Sequence, residues 1–414
     1  ALSVSAISGG DLSKLGITSF DQIIGAIPGV SFIEIGPGAS KVVFRGISTS
    51  QAAAGNSTVA TYIDEFPLAV GEQDIKLVDI AQLEVLKGPQ GTLYGQSAMG
   101  GVMRYITNKP NFDAVSGGLD VSTASIADGD TGYEGQGHVN IPLSDNLAVR
   151  AVFYEYDKAG FVDNLGTGTK DINSEEVTGG RLALRWGVSD RAEFNALYLN
   201  QSSRLGGGQS NGFQAPTSRY TPVPNGLPTD VLPPDLDDPS YRSNMDAFND
   251  LDFEILNLKL DVNFDSFDLS VMAATKQREQ DFQFDVGLWF GIFDDVSNTF
   301  YQLAREFESD TFETRLVSAG DGPFEWIAGV WYEKEKGDGF DYSELQTPRP
   351  AGDVTTFGLP RINGDVLVDF TQFDDQEELA FYGEVGYQLT DKSKLTLGYR
   401  RANLKLDSGV LRAD

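Results

Sequence analysis

From about residue 116 onward the chain repeats one pattern, segments of roughly ten residues in which apolar and polar side chains alternate. Residues 256–264 show it most plainly: Leu256, Leu258, Leu260, Val262 and Phe264 are interleaved with Asn257, Lys259, Asp261 and Asn263. Phe324, Trp326, Ala328, Val330 and Tyr332 alternate in the same way with Glu325, Ile327, Gly329, Trp331 and Glu333. Leu379, Phe381, Val385, Tyr387 and Leu389 form a further apolar face. A period of two sends successive side chains to opposite faces of an extended chain, so each segment predicts a strand with one apolar side. Eleven strands are predicted, at 117–126, 133–143, 147–157, 177–187, 191–203, 251–264, 267–280, 301–318, 323–336, 379–389 and 394–405.

Their connections alternate in length. Short ones at 144–146, 188–190, 265–266, 319–322 and 390–393 are built from Asp, Ser, Asn, Gly and Lys, whereas long ones fall at 158–176, 204–250, 281–300 and 337–378. Short turns on one rim and long loops on the other are the layout of a membrane-spanning barrel, whose strands barely register in mean hydropathy. Aromatic residues near strand ends (Trp186, Tyr198, Phe264, Phe267, Phe324, Tyr387, Tyr399) fit the girdles such barrels carry at the membrane interfaces. No run of eighteen apolar residues occurs, so no helix is expected to cross a membrane.

Residues 1 to about 110 read differently, as a small mixture of helix and strand. Ser19-Phe20-Asp21-Gln22 is a capping-box pattern ahead of Ile23 and Ile24, with a stop expected before Pro28-Gly29. Lys41 to Gly46 and Val59 to Asp64 read as strands. Residues 83–109 then give a strand (Leu83, Val85), a turn at Gly88-Pro89, a short amphipathic segment (Leu93, Tyr94) and a second strand opened by Gly100-Gly101. The glycines follow a strand, as in a phosphate-cradling loop. The segment nevertheless lacks both the Gly-Lys-Ser/Thr end of a P-loop and the Gly-x-Gly-x-x-Gly of a dinucleotide turn.

Composition narrows the chemistry further. There is no Cys, so neither disulfides nor thiolate metal sites are available, and a single histidine, His138, excludes imidazole-built metal centres. His138 lies in an alternating run and reads as one more polar-face residue rather than a catalytic base. A secreted hydrolase with paired carboxylates is the enzyme alternative, but among 61 acidic residues no pair stands out by position. No catalytic residue, metal site or cofactor is therefore expected. The net charge of −30 disfavours nucleic acid as a partner. It is unevenly spread: residues 1–110 sum to −2 and the rest to −28, which suits long acidic loops on one side of a barrel.

Several segments of the first part together resemble the plug domain of TonB-dependent outer-membrane receptors. These are Phe44-Arg45-Gly46-Ile47, Tyr62 to Leu68, and the ordered set Lys87, Gly88, Pro89, Gly91, Tyr94, Gly95, Gly100 and Gly101 leading to Ile106-Thr107-Asn108-Lys109-Pro110. The resemblance implies a small α+β plug over residues 1–112, followed over 113–414 by the N-terminal half of a transmembrane antiparallel β-barrel. Plugged transporters have 22 strands, so about eleven of them are expected here and the chain is expected to be truncated. A signal peptide and the TonB box are expected ahead of Ala1.

The implied function is active import, energised through TonB, of a scarce ligand across the Gram-negative outer membrane. A ferric siderophore or other iron complex leads, and a carbohydrate or other nutrient is the alternative. A passive barrel or adhesin is the reading outside the class. The implied partners are TonB with its inner-membrane complex, outer-membrane lipid and the small-molecule ligand. The resemblance also implies that Arg45 and Lys87 lock the plug to barrel carboxylates, among which Glu384 is a candidate. Ligand contacts are expected from the plug segment 52–58 with Glu72 and Gln73, and from an aromatic loop at 281–301 holding Phe282, Phe284, Trp289, Phe290 and Phe293. The Pro-rich stretch 214–240 reads as a stiffened surface loop.

Overall fold

The computed structural model describes residues 3–15, 17, 27–34, 40–47, 58–68, 76, 78–94, 98–127, 129–164, 167–207, 240–241, 245–285, 299–320, 322–345 and 366–412. The expected helix after Ser19 lies outside them, as do Glu72, Gln73, Gly95, Trp289, Phe290, Phe293 and most of the Pro-rich stretch.

The N-terminal part is built on a five-stranded sheet. Its strands are β1 (Ser3–Ser8), β4 (Val59–Ile63), β5 (Phe66–Leu68), β6 (Ile80–Lys87) and β7 (Gly101–Thr107), in the order β1-β6-β7-β4-β5. A separate hairpin pairs β2 (Val30–Glu34) with β3 (Ser40–Phe44), and two short helices, α1 (Gly9–Lys14) and α2 (Gly91–Tyr94), complete it. Strand β4, Val-Ala-Thr-Tyr-Ile, is buried along its whole length, as its β-branched and aromatic composition favours. The interior of the sheet is closed by Phe44, Ile63, Leu83, Val85 and Tyr105, all essentially inaccessible.

The remainder is one antiparallel sheet of eleven strands. They are β8 (Ser116–Ser125), β9 (Thr131–Ser144), β10 (Leu147–Lys158), β12 (Glu175–Ser189), β13 (Ala192–Gly206) and β15 (Phe248–Asn263), then β16 (Phe267–Asp285), β17 (Thr299–Ser318), β18 (Phe324–Leu345), β19 (Val366–Thr390) and β20 (Ser393–Arg412). Each pairs with its sequence neighbour in the sheet, from β8 at one edge to β20 at the other. Two residue pairs, β11 (Asp163–Asn164) and β14 (Ser240–Tyr241), bridge two of the long connections in parallel. All eleven predicted strands are present, but β16, β18, β19 and β20 run five or more residues further than alternation foretold. Strand β16 extends into what read as loop at 281–300, and β18 and β19 take up much of 337–378.

The faces of this sheet are inverted relative to a soluble protein. Leu258, Phe264, Phe324, Phe381, Val385 and Leu397 are exposed on the outer side, whereas Asn140, Arg150, Arg181, Gln201, Lys276 and Glu378 are buried on the inner side. An apolar outer band about nine residues tall with a polar interior is what lipid outside and a filled lumen inside require. Above that band the outer face turns acidic. Asp252, Glu279, Glu306 and Asp338 are successive cross-strand neighbours there. Much of the acidic excess thus faces away from the lumen.

The inner face wraps the N-terminal domain. Leu199, Leu251, Phe253, Ile255 and Ala274 of the wall belong to the same apolar cluster as Leu12, Phe44, Ile63, Phe66 and Tyr105 of the plug. Helix α2 touches β19 and β20 on the other side.

Candidate functional site

Among the described residues three close ion-pair groups moor the plug to the wall, beside a longer Lys109–Glu193 contact at 3.9 Å. Two of the three start at turn residues with left-handed backbone. Asp79, at φ 55° just before β6, is the deepest. Its carboxylate accepts a two-pronged contact from Arg150 on β10 (2.7 and 2.6 Å) and one from Arg181 on β12 (2.8 Å). Asn108 Nδ2 donates to it as well, at 2.8 Å, and its side chain is 3% exposed. Such forked guanidinium contacts are the strongest charge-assisted hydrogen bonds available to a carboxylate.

The second mooring is carried by the two-residue turn Asp64-Glu65 between β4 and β5. Asp64 (φ 52°) ties the turn down, accepting hydrogen bonds from the Thr107 amide and hydroxyl at 2.9 and 3.0 Å. That leaves Glu65 projecting to the wall, where Lys259 of β15 and Arg315 of β17 both reach it at 2.8 Å. Beside it lies a cavity of about 200 Å³ where Asp64, Arg104, Lys109, Asn257 and Lys259 meet a largely apolar lining that includes Ile106, Ala183 and Leu197. The third mooring reverses the polarity: plug Lys76 pairs with Glu175 of β12 and sits 5.3 Å over the Tyr156 ring.

Burial alone would raise both plug carboxyls. For Asp79 it is outweighed by the Arg150 hydrogen bonds and the Arg181 charge, and for Glu65 by the Arg315 and Lys259 charges, so each is held below the usual carboxylate range. A group whose folded pKa is lowered stabilises the docked state fully above its ordinary value, 3.8 for Asp and 4.5 for Glu here, and loses that contribution as pH falls through the lowered one. The plug is therefore expected to stay seated from pH 8 to 5 and to loosen only below about 4. Cleavage by an acid-active protease over that range measures this, and loosening already near pH 6 would contradict the assignment.

Above the plug the inner wall carries a second feature. Arg278 of β16 stacks 4.1 Å over the ring of Phe307 on β17, its direct cross-strand neighbour. One row further out, Arg305 donates to Gln372 Oε1 of β19 at 3.1 Å. Both rows face the lumen level with Phe253 and Leu251, the outermost wall residues of the apolar cluster shared with the plug. Asp374, whose Oδ2 accepts from Gln372 Nε2, bounds them on the β19 side. This arrangement is suited to a planar anion, offering guanidinium donors and an aromatic face together.

The residues expected from the sequence are distributed unevenly over these features. Strands β6 and β7 with the turn after Lys87 form the anticipated strand–turn–strand: the Gly88 amide donates to Gly100 O and the Gln90 amide to Ala98 O. Tyr94 packs edge-on against Tyr62 with ring centroids 5.2 Å apart. Gly101 has φ 150°, and a Cβ there would lie 2.2 Å from Leu86 O and 2.6 Å from Phe44, so no side chain fits.

The expected lock of Arg45 and Lys87 onto wall carboxylates is not formed among the described residues. Arg45 lies past the end of β3 at φ 51° with its side chain exposed, next to Gly46. Lys87, the last residue of β6, turns back to donate to Pro28 O at 2.6 Å. Glu384 does face inward on β19, but ion-pairs with neither. Phe282 and Phe284 belong to strand β16 rather than to a loop, and Phe282 is buried on its inner face. Missed from the sequence were Asp79, Glu65, Arg278, Arg305 and Phe307. Glu65 sits inside the Tyr-Ile-Asp-Glu-Phe-Pro-Leu segment that carried the resemblance, which was its one available signal.

Comparison with known proteins agrees with this architecture. Residues 1–102 match the family model of the TonB-dependent receptor plug domain. The pesticin receptor of Yersinia pestis is 23% identical over 404 residues, 96% of this chain and 52% of that protein. The catecholate siderophore receptor Fiu of Escherichia coli O157:H7 is 27% identical over 226 residues, 52% of this chain and 27% of that protein. The chain thus spans about half the length of the pesticin receptor it matches. Among solved structures, the ferric yersiniabactin uptake receptor FyuA of Yersinia pestis superposes with a TM-score of 0.77 at 19% identity, covering 99% of this chain and 61% of that one. The ferripyoverdine receptor of Pseudomonas aeruginosa gives 0.76 at 17% identity, covering 100% and 53%. Residues 1–102 thus carry the plug domain of TonB-dependent receptors, and the chain as a whole has the plug-within-barrel fold of the solved receptors it resembles.

Proposed function

We propose that this chain is the plug-bearing part of an outer-membrane importer for an iron–siderophore complex, energised through TonB. The observation that carries the ligand class is the inner wall above the plug. There Arg278, stacked on Phe307, and Arg305 present cationic donors beside an aromatic face. Relatives named as receptors for catecholate siderophores and ferrioxamine B support the iron reading over a carbohydrate. The acidic composition does not oppose an anionic ligand, because a row of carboxylates lies on the outer face.

The test is uptake of radiolabelled ferric siderophore by cells with the intact receptor gene present or deleted, each with and without a protonophore. Uptake is expected to require both the gene and the energised membrane. Arg278→Ala and Arg305→Ala are each expected to weaken ligand binding about ten- to a hundredfold, the worth of a charged hydrogen bond. Uptake untouched by deletion removes the iron substrate, and the same cells assayed with oligosaccharides then decide the alternative.

A further inference from the structure

Resting on that reading, we propose that Gly337 and Gly339 of β18 set the ligand specificity of this wall, making it a level shelf for a planar aromatic anion such as a catecholate ring. The two glycines alternate on the inward face of a strand interior, where glycine is disfavoured. Neither is among the glycines with left-handed backbone, so the strand's conformation does not call for them. What calls for them is room. A Cβ on Gly337 would lie 2.6 and 2.8 Å from Phe307 Cε1 and Cδ1, and one on Gly339 would lie 3.0 Å from Arg305 Cγ.

The register explains these contacts. Phe253, Arg278, Phe307 and Gly337 form one continuous cross-strand row, and Gln280, Arg305, Gly339 and Gln372 form the next. In the first row Phe307 lies across the bare backbone of Gly337, and Arg278 stacks on its ring. In the second, Arg305 lies across Gly339 to reach Gln372. Side chains at 337 and 339 would lift both off the wall, tilting the ring and withdrawing the guanidinium that rests on it.

Aromatic rings cover glycines elsewhere in the sheet, at Tyr154 over Gly179 and Tyr382 over Gly329 on the inner face and at Phe153 over Gly137 and Phe373 over Gly409 on the outer one. The tyrosine hydroxyls are tied to the wall, Tyr154 donating to Gln201 and Tyr382 to Glu313, even though Arg400 also lies over the Tyr382 ring. The two outer phenylalanines face away from the lumen, so these pairings are structural. Phe307 alone of the five combines a lumen-facing ring, no anchoring hydroxyl and a stacked cation. That difference assigns the Gly337 shelf to recognition rather than to strand packing.

The experiment is equilibrium binding to the purified intact receptor, read by tryptophan fluorescence. The probes are iron-free 2,3-dihydroxybenzoate, its ferric complex and, as control, a ferric trihydroxamate without aromatic rings. Gly337→Ala is expected to weaken binding of both dihydroxybenzoate probes by about tenfold and to leave the trihydroxamate unchanged. In a Phe307→Ala background, adding Gly337→Ala is expected to cost nothing more, the signature of an effect routed through the ring. Heat-modifiable migration on denaturing gels establishes that each variant has a folded barrel. Equal loss for all three probes, full additivity of the two substitutions, or a parent receptor that binds neither dihydroxybenzoate probe overturns the shelf. Binding of the iron-free anion without the ferric complex leaves the shelf standing and overturns the iron cargo instead.

Discussion

An Asp79→Ala receptor is expected to lose its seated plug. Asp79 is the shared counter-ion of two wall guanidiniums, Arg150 and Arg181, whose side chains are 10% and 5% exposed. Removing it leaves both cations buried and uncompensated, a situation that costs about 3–5 kcal/mol where one partner of a buried pair is deleted. Loss on that scale rivals the whole stability of a small domain. The chain has no cysteine, so a single Leu199→Cys on the wall, a position the plug covers, reports on seating through its reaction with a maleimide. Labelling is expected to be slow in the parent and fast with Asp79→Ala. Replacing Asp79, Arg150 and Arg181 together by apolar residues of similar size is expected to restore protection, because the cost lies in the unpaired charges rather than in the absence of the pair. Equal protection of the introduced thiol with and without Asp79→Ala would falsify the mooring.

The sheet was legible because its outer face is apolar, as a face toward lipid must be. Lipid demands an apolar side chain at every second position, and the lumen permits polar ones between, so Leu256 to Phe264 displays the period of two directly. Beyond the apolar band that contrast disappears. Residues such as Asp338 on the outer face and Gly339 on the inner face both tolerate water, and nothing in the order Gly337-Asp338-Gly339 announces a strand. Only pairing with β17 and β19 holds these residues extended. Strand ends above the membrane were therefore placed too early, and Phe282 and Phe284 read as loop.

The moorings were illegible for a different reason. Asp79 and its partners are 71 and 102 residues apart, and Glu65 and Arg315 are 250 apart. Which inward residue meets which plug turn is decided by the stagger of the whole sheet, and that is set by register rather than by local sequence. The family resemblance pointed to Arg45 and Lys87 instead, a lock in which the plug supplies the cation. Among the described residues the plug supplies the anion at two of the three close moorings, Asp79 and Glu65, and the cation at Lys76, with Lys109 a longer 3.9 Å from Glu193. The same stagger brought Arg278 onto Phe307, two residues that carry no signal of their own in the sequence.

The assignment of faces itself yields the second large prediction, at two adjacent positions with opposite demands. Leu258 of β15 lies within the apolar band, flanked across the strands by Ala196 and Ala273 and exposed on the outer face. Leu258→Arg is expected to destabilise the barrel by about 2–4 kcal/mol, the cost of a cation on the lipid face near the bilayer midplane. The very next residue, Lys259, is a cation in the native chain and is tolerated because it points inward to Glu65 and Asp261. Lys259→Leu is expected to cost less, since Arg315 still holds Glu65. Urea titration of the intact receptor folded into lipid vesicles measures both, with heat-modifiable migration as the readout of the folded barrel. The midpoint is expected to fall clearly for Leu258→Arg and slightly for Lys259→Leu. The reverse order would mean that β15 presents its other face to the membrane. The register of every strand paired to it, from Asp79's arginines to the Gly337 shelf, would then shift by one residue.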